Sequence, residues 1–170
     1  MLSWILMLAL GANPEVRTVE KVDVTRYLGT WYEVASFPFF FQRGCHATTA
    51  TYALRDDGDI SVVNRCRKDG FSGPLSEVKG KAWVVDKTTN AKLKVQFFWP
   101  FSGNYWVLGL GPDYEYAVVG EPGRNHLWIL SRTRQLSAEL YSLAVNTAKS
   151  QGFDVSRLGR TPQPPVGDSD

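Results

Sequence analysis

The sequence predicts an all-β fold: an eight-stranded antiparallel up-and-down β-barrel with one C-terminal α-helix packed on the outside. Three observations point there. Eight short segments alternate apolar and polar residues with the period of a strand, hairpin-length turn signals separate them, and one apolar stripe at three- and four-residue spacing follows the last segment. Eight consecutive antiparallel strands most economically close on themselves, which removes both sheet edges. A two-sheet sandwich would use the same strands with different connections.

The first strand spans about 30–37. Trp31, Glu33, Ala35 and Phe37 alternate with Tyr32, Val34 and Ser36. Gly29 lets the backbone turn sharply before the strand so that the indole of Trp31 has room to point inward. Before it, residues 13–26 read as a polar, extended lead-in. Pro38 ends the strand, and Phe39-Phe40-Phe41 follow, three phenylalanines that no alternating strand could hide on one face. They form a lid over a cavity, a patch facing a partner or membrane, or a loop folded onto the domain's own core.

Residues 45–54 and 60–66 read as the second and third strands, made antiparallel neighbours by the Asp57-Gly58 hairpin signal. The fourth spans 77–86, with Lys79 and Lys81 wet and Val78, Gly80, Ala82 and Val84 dry. The fifth, 92–98, sets Leu93, Val95 and Phe97 against Lys92, Lys94 and Gln96, and Pro100 and Gly103 close it. Strands at 105–110, 114–120 and 126–131 complete the meander, separated by Gly111-Pro112-Asp113 and Pro122-Gly123.

The helix follows. Ser137 can cap it, Glu139 lies near the positive end of its dipole, and Gly152 can terminate it. Leu136, Leu140, Leu143, Ala144 and Thr147 form the stripe that should lie on the barrel. Residues 13–160 are thus one domain. The Pro-rich, acidic stretch 161–170 reads as a disordered tail. At the other end, 1–12 reads as the remnant of a secretory signal, because the apolar run 4–10 is too short to span a bilayer and small residues follow it. Export to the periplasm or the outer membrane is the expected location. No cysteine precedes Cys45, so no acyl anchor is expected.

With 170 residues, 44% of them hydrophobic, the chain can bury a sizeable core. Nineteen basic and 17 acidic residues are interspersed to a net charge of +2, which argues against a nucleic-acid partner. The only two histidines, His46 and His126, support no Ser-His-Asp arrangement or metal-ligand spacing, and no cofactor is implied.

With the strands placed, three short motifs gain meaning together. Gly29-Thr30-Trp31 opens the first strand, Pro112-Asp113-Tyr114 lies between the sixth and seventh, and Arg132 ends the eighth; the longer runs 27–33 and 127–133 surround the first and third. Over 22–158 the chain resembles the lipocalins, and within them the bacterial outer-membrane lipocalins related to apolipoprotein D. It departs at Pro112, where the family usually carries threonine. Closure of a meander sets the first strand beside the last, so Trp31 and Arg132 should meet and seal one end.

The resemblance implies a cavity holding a fatty acid or a lysophospholipid, with the other end of the barrel as its mouth. Trp128, Tyr105, Phe37, Phe97 and Tyr52 are the candidate lining residues; each could equally be core filler. Arg43, Arg65, Arg67 or Lys68 could approach a head-group phosphate at the mouth. Cys45 and Cys66 lie at the same end of their hairpin, and a disulfide is the preferred reading, although it requires a bulge or a wider turn than Asp57-Gly58 alone provides. Two rival functions remain: a lipid isomerase using Cys45 or Cys66 as a nucleophile, and an interaction protein docking through Phe39 to Phe41, as a homodimer or on a membrane surface.

Overall fold

The computed structural model describes residues 13–165. Strands β1 (Gly29–Ser36), β2 (Cys45–Leu54), β3 (Ile60–Lys68), β4 (Leu75–Val84), β5 (Lys92–Phe98), β6 (Phe101–Leu110), β7 (Tyr116–Gly120) and β8 (Leu127–Ser131) pair antiparallel in sequence order. β1 bonds to β8 through Tyr32 opposite Ser131 and to β2 through Gly29 opposite Tyr52, so the sheet is a closed eight-stranded barrel. The helix, here α2 (Ala138–Ser150), packs outside β6 and β7. The expected signal remnant and the residues after 165 lie outside the described residues.

The connections β2–β3, β4–β5 and β6–β7 share one end of the barrel, its foot, with the start of β1. There the lead-in is not simply polar and extended. It folds into a one-turn helix, α1 (Val24–Tyr27), whose first turn is capped by the Asp23 carboxylate accepting from Arg26 N at 3.3 Å. Val22 is buried, and its N–H donates to Thr89 O at 2.7 Å, so the segment lies across the foot as a plug.

Two apolar layers hold the fold. Trp31, Val62, Leu93, Val107 and Leu130 fill the barrel interior, while Val34, Leu108, Val118 and Ile129 meet Ala144 and Ala148 of α2 outside it. β-Bulges between Glu33 and Ala35 in β1 and between Val107 and Gly109 in β6 decide which layer a residue joins. One inserted residue moves every later side chain to the other face. Phe37, expected to line the cavity, therefore belongs to the outer layer, as do Ala35 and Gly109. At Gly109 a Cβ would stand 2.9 Å from Thr147 Cγ2, so the missing side chain lets the helix lie close to the sheet.

Ser137 caps α2 by accepting from Leu140 N at 3.2 Å. The buried helix positions are Ala144 and Ala148, whereas Leu143, expected on the inner stripe, is exposed. β6 begins at Phe101 rather than 105, so Gly103 lies inside the β5–β6 ladder opposite Val95 instead of closing the preceding strand. Tyr114 is not in β7 but in the turn before it, at φ 60°.

The tail expected to be disordered from 161 is ordered at its start. A ninth strand, β9 (Gly159–Arg160), pairs with Ser36 and Ala35 of β1. Beyond it, Thr161 N donates to Val34 O at 3.1 Å, and Ala47 N donates to Pro162 O at 2.8 Å. The β1–β2 ladder runs only from Gly29 to Tyr32, because Ala47, at φ 52°, bulges β2 away. The segment 159–163 fills the resulting seam and satisfies backbone groups that neither strand reaches.

Candidate functional site: the barrel cavity and its mouth

The foot is sealed by the residues of the three motifs. The Arg132 guanidinium carbon lies 3.8 Å from the Trp31 ring centroid. It also donates to Thr30 O at 3.1 Å and Arg26 O at 2.6 Å. Trp31 Nε1 donates to Tyr27 O at 2.8 Å, so the indole is fixed on both its face and its edge. Tyr114 Oη accepts from Asp23 N at 2.9 Å, tying the β6–β7 turn to the plug, and Arg26 covers its ring. The contacts of Gly29 and Asp113 are local. Gly29 stands at φ 95°, where a Cβ would lie 3.4 Å from Arg132 Nη1, and Asp113 N donates to Glu115 Oε2 at 2.9 Å.

Above this floor three phenols converge. Tyr105 Oη lies 2.8 Å from Tyr27 Oη and 3.0 Å from Tyr52 Oη. Burial is the first cause that raises all three pKa values, to about 12 for Tyr52 and well above the ordinary phenol range for Tyr27 and Tyr105. The hydroxyls therefore stay neutral, and they spend their polarity on one another.

The hollow beside them has Val62, Ala82, Leu93, Val95, Tyr52 and Tyr105 in its wall. Its cavity volume is ≈ 30 Å³. It is a narrow slot. Of the five aromatic residues proposed from sequence, Tyr52 and Tyr105 border it, and Phe97 and Trp128 belong to the interior cluster on the mouth side. Phe37 does not. Carried outward by the β1 bulge, it is buried against Phe153 at 6.4 Å between ring centroids, with Arg157 over its face.

Phe97 folds over Gly80, where a Cβ would stand 2.7 Å from its ring. Trp128 stacks on His126 at 5.8 Å, and Phe39 meets that histidine edge-on at 5.5 Å between centroids. Asn64, which the sequence reading passed over, follows Val62 on the inward face of β3, and its buried Oδ1 has no partner. The alternation of β3 was the signal that could have found it.

At the mouth the four candidate cations separate. Arg65 points outward and is paired with Glu77 at 2.6 Å, so it is no longer a candidate for the head group. Arg67 is exposed and reaches only Gly73 O, at 3.5 Å. Lys68 donates to Arg43 O at 2.9 Å and Phe41 O at 3.4 Å, holding the turn that carries Arg43. Arg43 lies over the Phe40 ring.

Beneath that turn Glu33 is buried with no ion pair among the described residues, its carboxylate accepting from Ser36 Oγ, Gln42 Nε2 and Thr161 Oγ1 at 2.9, 2.7 and 2.6 Å. It links the strand, the mouth turn and the C-terminal seam. Cys45 and Cys66 form a disulfide, with Cα atoms 5.3 Å apart. The sequence required a bulge or a wider turn, and the structure has both: the hairpin turn spans 55–59, and the bulge at Ala47 slips the register so that Cys45 faces Lys68.

Residues 22–163 match the Lipocalin-like domain family. The chain is 44% identical to temperature-induced lipocalin-1 of Arabidopsis thaliana, over 88% of this chain and 83% of that protein. It is also 44% identical to the outer membrane lipoprotein Blc of Escherichia coli K12 (88% and 84% covered) and 34% identical to apolipoprotein D of Bos taurus (91% and 84%). In fold it is similar to insecticyanin from the tobacco hornworm Manduca sexta, with TM-score 0.69 at 24% identity, covering 89% of this chain and 86% of that one. The closed barrel, the helix on its flank and these likenesses agree: the chain belongs to the lipocalin family.

Proposed function

We propose that this lipocalin carries a single-chain amphiphile, a lysophospholipid in preference to a fatty acid, with its acyl chain in the slot and its head group at the mouth. The observation that carries the reading is the Asn64 Oδ1 on the inward wall of the barrel, buried with no hydrogen-bond partner among the described residues. A buried acceptor without a donor is costly, and a ligand hydroxyl offsets that cost. A lysophospholipid has such a hydroxyl on its glycerol, whereas an ionised fatty acid has no donor. The hollow's wall is apolar, and each methylene buried against it contributes about 0.8 kcal/mol. Arg43 and Lys68 lie where a phosphate would emerge. The outer-membrane naming of Blc supports an exported, envelope-associated location for this chain as well.

The isomerase reading has no nucleophile to use, because both cysteines of the chain stand in the disulfide. Titration of lysophosphatidylcholine and of the fatty acid of the same chain length, followed by tryptophan emission, tests the proposal. The lysophospholipid should bind about fivefold tighter, and Asn64→Leu should abolish the difference. Equal affinities in the unaltered protein would defeat the preference, and no binding of either would defeat the carrier reading.

A further inference from the structure

We propose that the mouth of the barrel is a docking face for a phospholipid bilayer, so that cargo passes between cavity and membrane without crossing bulk water. Eight of the eleven exposed large apolar side chains among the described residues lie at this one end, on the connections β1–β2, β3–β4 and β5–β6 or the strand ends beside them. Trp99 is 85% exposed and Phe101 76%, with Phe98 beside them in the chain and Phe40, Phe41 and Phe71 exposed on other turns of the same end. The remaining three, Leu54, Val85 and Leu143, are scattered singly, as on any soluble surface. Exposed apolar side chains gathered at one end in this way mark an interaction site.

The rim projects because polar groups hold its base. Gln42 Nε2 is bonded to Glu33, and Lys68 Nζ to the carbonyls of Phe41 and Arg43, so the phenylalanine turn cannot fold down onto the barrel's own core.

Charge decides between occupants. Arg43, Arg67 and Lys68 stand on the same rim and bond only to carbonyls or to the Phe40 face, with no acid paired to any of them among the described residues. A second copy docked here about a twofold axis would set these cations against the same cations. A membrane surface instead offers phosphates to them and an interfacial layer to the aromatic rings, where tryptophan partitions well. On the carrier reading the head group leaves the barrel through this rim, so a docked protein has its doorway against the lipid. This last step rests on the carrier reading; the docking itself does not.

The full chain, without added ligand, is mixed with phosphatidylcholine vesicles with and without phosphatidylglycerol, and bound protein is measured by co-sedimentation. Binding is expected, strengthened by the anionic lipid and weakened by salt, by about fivefold per cation engaged. Trp99→Ser with Phe101→Ser should cut vesicle affinity at least tenfold while leaving the melting temperature and the affinity for lysophosphatidylcholine in water unchanged. Delivery of a fluorescent lysophospholipid to acceptor vesicles should then quicken with vesicle concentration for the unaltered protein and lose that dependence in the double variant. No vesicle binding, or a delivery rate indifferent to vesicle concentration, overturns the proposal. A solution dimer dissolved by the double substitution, without vesicle binding, assigns the face to a second copy instead. The ligand titration in water is a separate measurement, so failure of the carrier reading and failure of docking are told apart.

Discussion

Arg132 covers the face of Trp31 at 3.8 Å while its two amino groups hold the carbonyls of Thr30 and Arg26, and the last strand is thereby clamped to the first and to α1. The guanidinium is partly desolvated, which draws its pKa down, yet it keeps its charge. Arg132→Met retains bulk but removes the cation and both donors. It should lower the free energy of unfolding by about 3 kcal/mol, read as a shift in urea midpoint at unchanged slope. Arg132→Lys should recover only part of this, because a point charge cannot serve both carbonyls and the indole.

Trp128 and Phe37 make a matched test of which aromatic residues face the ligand. Trp128→Ala should weaken lysophospholipid or fatty-acid binding about tenfold, the scale of one lost aromatic contact of about 1.4 kcal/mol. Phe37→Leu, in the outer layer, should cost about 1.5 kcal/mol of stability and leave affinity alone. Weakened binding in the Phe37 variant would mean that the β1 bulge does not turn this ring away from the cavity.

The disulfide closes a loop with a sequence separation of 21. On the chain-entropy estimate, reduction should cost about 3 kcal/mol, and Cys45→Ala with Cys66→Ala should match the reduced protein. Mass analysis after alkylation should show no label on the native chain and two labels after reduction, one for each cysteine of the sequence.

The three phenols predict alkaline sensitivity. Their folded pKa values lie above the ordinary value of 10, so their contribution is whole below pH 10. As pH rises past that point the unfolded chain gives up protons that the folded chain keeps, and stability falls by up to about 1.4 kcal/mol per pH unit for each phenol. Melting temperature measured from pH 8 to about 11.5 should stay level and then drop. Tyr105→Phe should make the drop shallower.

Much of the fold was legible because it rests on local signals. Alternation set the strands, Ser137 marked the start of α2, and Trp31 and Arg132 announced each other through barrel closure. What escaped was the consequence of single inserted residues. The bulges after Glu33 and Val107 look like any other step in an alternating string, and because the outer layer under α2 is as apolar as the interior, Ala35, Phe37 and Gly109 carried no sign of their side. Asn64 was missed because a polar residue in a strand reads as facing water. The Thr161 to Gln163 segment was missed because its prolines and polar residues match disorder in composition, while its order comes from long-range bonds to Glu33, Ala47 and Thr48.

That segment has a consequence for how the molecule comes into being. The gap between the first two strands is stitched shut by residues synthesised after all eight of them, at a sequence distance of 128 between Thr161 and Glu33. A nascent chain emerging from a ribosome or a translocation pore thus cannot complete its wall until nearly everything else has passed. Until then the flank between the first two strands stays open, its backbone groups met by water alone.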